Sequence, residues 1–161
     1  MRHKGFTIVE LIVVIAAIVI LASIAIVSYA FVVGDSMDAK IKSTVKDAGD
    51  ALTLYENKNG SRVTGQGQFD ADNGMDTLVA ASNLKTGYRD GITSSNSSDA
   101  NKIFKWYDCA NSSGGFVIYA SLNNPTADDI ATFQKIRTSC GHTATQAPDT
   151  GNPSYNYAQT F

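Results

Sequence analysis

The hydrophobic pattern divides the chain at Gly34. From Leu11 to Val33 no residue is charged and none is proline, and Ile, Val and Ala dominate. A helix over this stretch is apolar on every face. At 1.5 Å per residue it extends roughly 35 Å, enough to cross the hydrocarbon core of a bilayer. β-Branched residues weaken a helix in water, but a bilayer forces backbone hydrogen bonds to close within the segment. Beyond Gly34 the pattern becomes periodic. Met37, Ile41, Val45, Ala48, Leu52 and Tyr55 recur at steps of three and four, which is one face of an amphipathic helix. Lys40, Lys42, Lys46, Asp47 and Asp50 fall largely off that face, and Asp38 and Lys42 stand in the favourable i,i+4 order. Gly60 after Asn59 is a stop signal. The spacing predicts one helix from about Phe6 to Lys58, with two helices joined at Gly34 as the alternative.

The remainder alternates between turn signals and short apolar runs. Gly60 to Asp76 is polar and glycine-rich and reads as loop, and Thr77 to Leu84 as a short helix. Gly91 to Asn101 reads as a low-complexity surface loop. Lys102 to Tyr107 and Phe116 to Leu122 read as strands of an antiparallel hairpin across the turn Asn111-Ser112-Ser113-Gly114-Gly115. Asn124-Pro125 marks another turn. Ile130 to Arg137, apolar at 130, 133 and 136, fits a helix or a third strand, and strand is the preferred reading. Tyr155, Tyr157 and Phe161 alternate near the end, as in an edge strand or an extended arm.

Charge refines this picture. The net charge is -2, and from Asp35 onward 11 Lys+Arg face 14 Asp+Glu. A mildly acidic domain is poorly suited to non-specific nucleic-acid binding, which draws its affinity from neutralising phosphates. Arg2, His3 and Lys4 precede the apolar run and Asp35 and Asp38 follow it, so the positive-inside bias places the N-terminus in the cytoplasm and the C-terminal domain outside. In an extracytoplasmic domain, Cys109 and Cys140 are expected to form a disulfide.

Glu10 is the one charge between Phe6 and Asp35. A carboxylate at the centre of a membrane helix costs about 2.5–3.5 kcal/mol on insertion scales, less near its end. A plain anchor has no use for it. A secretory signal with a cut near Ser28-Tyr29-Ala30 has none either, and its apolar region usually spans about 7–15 residues. Glu10 therefore suggests a cationic partner in another state.

The stretch Gly5-Phe6-Thr7-Ile8-Val9-Glu10-Leu11-Ile12-Val13-Val14-Ile15, behind a short basic leader, resembles the N-terminus of type IV pilins and their pseudopilin relatives. The resemblance covers about the first 33 residues and, more loosely, the helix up to Asn59. It implies a prepilin peptidase that cuts between Gly5 and Phe6 and N-methylates Phe6, with Glu10 meeting the Phe6 amine of a neighbouring subunit in the filament. It implies an α+β fold, a long N-terminal helix laid on a small antiparallel sheet. The segments are a leader at 1–5, a membrane and filament-core helix at 6–34, its amphipathic half at 35–59 and a globular head at 60–161. In the family such a cysteine pair often staples a C-terminal loop to the sheet. One departure is that no Pro occurs before Pro125, where many members break the helix, which leaves Gly34 as the expected hinge.

Other chemistry is thin. Asp70-Ala71-Asp72-Asn73-Gly74-Met75-Asp76 resembles half of a calcium loop, with Asp70, Asp72 and Asp76 as candidate ligands. Its glycine is one position early, Ala81 stands where a bidentate Glu belongs, and it reads rather as a solvated acidic turn. His142 reads as a lone surface histidine, Trp106 as core, and Lys102 and Lys105 as decoration of the other strand face. Asn59, Asn96 and Asn111 begin Asn-x-Ser sequons that arise easily in a polar chain.

The expected protein is a non-enzymatic structural subunit without cofactor. It is a single-pass precursor in the cytoplasmic (inner) membrane that becomes a homo-oligomeric helical filament outside the cell. Its partners are the prepilin peptidase, an assembly ATPase, a platform protein and, for the finished filament in adhesion, twitching motility or DNA uptake, a host surface or DNA. The alternatives are a pseudopilin of a type II secretion or competence machine, told apart by a short piston in place of long filaments, and a membrane-anchored binding domain that never polymerises, told apart by indifference to loss of Glu10.

Overall fold

The computed structural model describes residues 5, 7–61, 63, 67–68, 75–81, 83–94, 103–109, 115–142 and 155–161. Helix α1 runs from Ile8 to Asn59 without interruption, so Gly34 is helical and the alternative of two separate helices is excluded. By internal packing the chain divides into Met1–Gly34 and Asp35–Phe161.

In the first unit every described large apolar side chain is exposed, from Ile8 at 78% to Val33 at 45%. Its two serines return their hydroxyls to the helix. Ser23 Oγ donates to the carbonyls of Val19 (3.1 Å) and Ile20 (2.8 Å), and Ser28 Oγ to that of Ile24 (3.1 Å). A helix enters hydrocarbon more readily when its polar groups are satisfied internally, as these two hydroxyls are.

In the second unit the remaining part of α1 buries Ile41, Val45, Ala48 and Leu52, with Met37 and Tyr55 half-buried at the ends of the stripe, as the periodicity predicts. Gly60 stops the helix in the left-handed region (φ 65°), donating its N–H to the Glu56 carbonyl at 2.8 Å. Strands β1 (Gly67–Gln68), β2 (Phe104–Asp108), β3 (Phe116–Ala120) and β4 (Tyr157–Thr160) form one antiparallel sheet in the order β1-β2-β3-β4. The fold is therefore α+β, a long N-terminal helix followed by a small antiparallel sheet. Trp106 lies opposite Ile118 and Ala120 opposite Tyr157, which makes the tail an edge strand. The region read as loop from Gly60 holds β1, and the short helix α2 (Met75–Ala80) begins two residues earlier than expected. The turn at 111–114 and the serine-rich segment 95–101 lie outside the described residues.

The main correction concerns Ile130 to Arg137, preferred above as a strand. It lies in helix α3, Ala127–Ser139. Thr126 caps it, taking the Asp129 N–H on its hydroxyl while Asp129 takes the Thr126 N–H, a reciprocal capping box. At the other end Gly141 (φ 72°) donates to the Thr138 carbonyl and the His142 N–H to that of Arg137, a Schellman turn. The capping side chains at one end and the left-handed glycine at the other outweigh the weak apolar pattern between them.

This helix explains the sheet. Phe104, Trp106, Phe116, Ile118 and Ala120 pack with the α1 stripe, while Val117, Tyr119, Tyr155 and Ala158 pack with Phe133 and Ile136 of α3. Strand β3 is buried at every position, consistent with its unbroken apolar run Phe-Val-Ile-Tyr-Ala. A disulfide joins Cys109, just after β2, to Cys140, the C-cap of α3, with Cα atoms 4.3 Å apart.

Candidate functional site

The candidate site is the start of α1. Thr7 precedes the first helical residue and Glu10 is the third residue of the first turn, the spacing of a capping box. The Glu10 Oε2 atom accepts from the Thr7 backbone N–H at 2.9 Å and from the Thr7 hydroxyl at 2.7 Å. The Thr7 Oγ1 accepts from the Glu10 N–H at 3.2 Å. The helix dipole adds to this, because a carboxylate is favoured in a first turn. Both Thr7 donors go to Oε2. Among the described residues no donor reaches Oε1. Gly5 is exposed, Glu10 is exposed, and Phe6 lies outside the described residues.

This arrangement binds a cation poorly by itself but presents one carboxylate oxygen beside an apolar surface. A positive charge arriving there would find a partner already fixed in position and weakly screened once water is excluded. Thr7 is the residue that reading for charge missed. The signal for it was present as Thr7-Ile8-Val9-Glu10, the capping-box pattern ahead of an apolar run.

Elsewhere Asp38, Lys42 and Asp129 are tied up in the fold. Asp38, 6% exposed, does not pair with Lys42. Its Oδ1 accepts from the N–H (2.7 Å) and Nδ2 (2.9 Å) of Asn123, and its Oδ2 from the Asn124 N–H (2.7 Å). Lys42 instead reaches Asp129 at 2.7 and 2.9 Å. His142 is not a surface residue. It is 9% exposed, with Nδ1 2.8 Å from the Tyr119 hydroxyl and Nε2 2.9 Å from the Asp108 carbonyl. A carbonyl only accepts, so Nε2 carries a proton and donates it to the Asp108 carbonyl. Burial pushes the Tyr119 and Tyr155 hydroxyls up, so both remain protonated donors. Trp106 is core at 2% exposure, and Lys105 lies on the opposite strand face, 5.7 Å from the Tyr155 ring centre. Asp70 and Asp72 lie outside the described residues, as does the Asp76 side chain. Among the described residues no group of three metal-binding side chains converges.

A family model described as the prokaryotic N-terminal methylation motif matches residues 1–26. No curated protein and no solved structure matches the chain. The matched segment and the long apolar helix support a type IV pilin-like prepilin, which is a structural rather than enzymatic class, and they fit a membrane-anchored precursor.

Proposed function

We propose that the chain is a prepilin that is cut between Gly5 and Phe6, N-methylated at Phe6, and polymerised into an extracellular type IV pilus. Residues 1–5 are the leader, 6–34 the membrane and filament-core segment, 35–59 the amphipathic continuation and 60–161 the head. The observation that carries this reading is Glu10, a single carboxylate that meets no donor at Oε1 among the described residues and stands at the head of the exposed apolar half of α1, inside the matched motif. Cleavage creates an ammonium at Phe6. Each charge alone is penalised in an apolar filament core, whereas an amine from one subunit against Glu10 of the next offsets both penalties and fixes the axial step. The prepilin peptidase, the assembly ATPase and the platform protein supply the work, and the chain supplies the polymer.

The capping box sharpens the test. Glu10→Leu removes both the charge and the cap, but Glu10→Gln keeps an acceptor for Thr7 and removes only the charge. Protein sheared from whole cells is analysed by intact mass and N-terminal peptide mapping. Wild-type protein is expected in the sheared fraction beginning at N-methylated Phe6. Glu10→Gln is expected to insert in the membrane but to fall by about tenfold or more in that fraction, since one half of a poorly solvated ion pair is gone. Wild-type filament yield from Glu10→Gln would remove the pairing role. A wild-type chain that begins at Met1 and stays with the membrane would make this an anchored domain.

A further inference from the structure

The unit after Gly34 carries two large apolar side chains at more than two-fifths exposure among its described residues, Leu54 at 44% and Ile130 at 41%. Leu54 borders a groove of about 480 Å³ that Asp47, Asp50, Ala51, Leu84 and Tyr88 also line. Ile130 stands on α3, whose thirteen residues include none that is fully buried. Asp47 precedes Leu54 by seven positions on α1, and Ile130 precedes Arg137 by seven on α3. Seven residues are nearly two full turns, so each pair shares one helix face at a separation of roughly 10.5 Å. One face reads acid then apolar, the other apolar then base. Asp47 and Arg137 form no ion pair among the described residues. The Arg137 guanidinium rests 6.0 Å from the Phe133 ring centre of its own helix.

We propose that the α1 groove of one subunit receives α3 of a second copy of this chain, antiparallel, with Ile130 against Leu54 and Arg137 against Asp47. Gln134, one turn from each end of the α3 stripe, then faces Asp50. The antiparallel direction follows from the opposite order of charge and apolar residue on the two helices. The two patches are different surfaces of the same unit, so the contact is heterologous. It does not close on itself as a dimer but repeats from copy to copy, the geometry a helical filament needs. Complementary charge here selects the partner and its register more than it adds affinity. The proposal rests on the filament reading above and adds to it a contact between heads, separate from the one between Phe6 and Glu10.

The test is a charge reversal in the full-length chain expressed in cells that assemble the wild type. Asp47 is exposed and Arg137→Glu keeps an aliphatic stem over Phe133, so both variants retain the fold. Membrane-pool abundance and the non-reduced Cys109–Cys140 species check this. Asp47→Lys and Arg137→Glu are each expected to lower the sheared-filament yield by at least about tenfold, and the double variant to restore most of it. A photocrosslinker at Leu54 is expected to join filament subunits through a peptide containing Ile130. Normal yield from both single variants overturns the contact while leaving the filament reading in place. So does a folded double variant that stays as defective as the singles, or a Leu54 cross-link that excludes α3. Wild-type chains that form no filaments at all overturn both.

Discussion

The ring of Phe161 occupies the space where a side chain on Gly49 would lie. Gly49 sits mid-helix on the buried side of α1, and Phe161 stacks on Phe116 with ring centres 5.4 Å apart. Phe116 in turn meets Trp106 edge-on at 6.4 Å. The glycine is a notch in α1 that admits the residue following β4, and the aromatic row carries that contact to the centre of the sheet.

The notch sets the first prediction. Glycine inside a helix usually costs about 1 kcal/mol relative to alanine, so Gly49→Ala should stabilise an exposed position. Here the added methyl meets the Phe161 ring, and overpacking costs about 1–3 kcal/mol. The net effect should be a lower melting temperature for the head. Trp106 is the sole tryptophan and lies in this core, so its fluorescence follows the transition in detergent-solubilised protein. Adding Phe161→Ala to Gly49→Ala should cost less than Phe161→Ala does in the wild type. A Gly49→Ala protein as stable as the wild type would mean the ring does not need the notch.

The features legible in the sequence were those with strong local grammar. The stripe from Met37 to Tyr55, the Gly60 stop and the hairpin of β2 and β3 follow from period and turn chemistry within a short window, whereas the alternation in the tail fits an edge strand and an extended arm alike. Helix α3 differs from the preferred strand because Ile130, Phe133 and Ile136 by themselves fit either element. Thr126 and Asp129, which form its cap, and Gly141, which ends it, carried the better signal. Asp38 and His142 were misplaced for another reason. Their partners lie 85 and 34 residues away, at Asn123 and Asp108, and no local pattern encodes a pairing of that range. The Gly49 notch belongs to the same class, since its reason is Phe161. At the candidate site, Glu10 stood out by its charge, while the Thr7 contact that holds it needed the capping pattern to be read beside the hydropathy.

The second prediction concerns the disulfide. Closing a loop of sequence separation 31 between Cys109 and Cys140 stabilises the fold by roughly 3–4 kcal/mol in the chain-entropy model. The bond is made at the end of α3, which holds to the sheet through the half-buried Phe133 and Ile136 rather than through any fully buried residue. Reduction should therefore release α3 first. Hydrogen exchange under native conditions should speed up across 127–139 and leave the buried stripe of α1 from Ile41 to Leu52 protected. Equal loss of protection in both helices would show that α3 is an integral part of one cooperative core.

Acid should loosen the opposite end of the same helix. Burial pushes the Asp129 carboxyl up, but hydrogen bonds from Lys42 and from the Thr126 backbone and hydroxyl, with the Lys42 charge, together outweigh burial and hold it below its ordinary value. A carboxyl whose folded value is depressed contributes stability that is fully present above the unfolded value and is lost as pH falls through the folded one. With an ordinary carboxyl value near 3.8, the loss should begin below about pH 4 and leave the neutral range flat. Protonation would take away the Lys42 contact and weaken the cap together, so the docking of α3 should weaken at its N-terminal end while the disulfide still holds its C-terminal end. The aromatic cluster of Tyr107, Tyr119 and Phe133 under α3 makes near-UV circular dichroism the measurement of choice. Wild-type protein should lose part of that signal in the acid window before Trp106 fluorescence changes. Asp129→Asn should start lower at neutral pH and lack this early step. An acid profile for Asp129→Asn that matches the wild type at every pH would show that Asp129 is not the group that titrates.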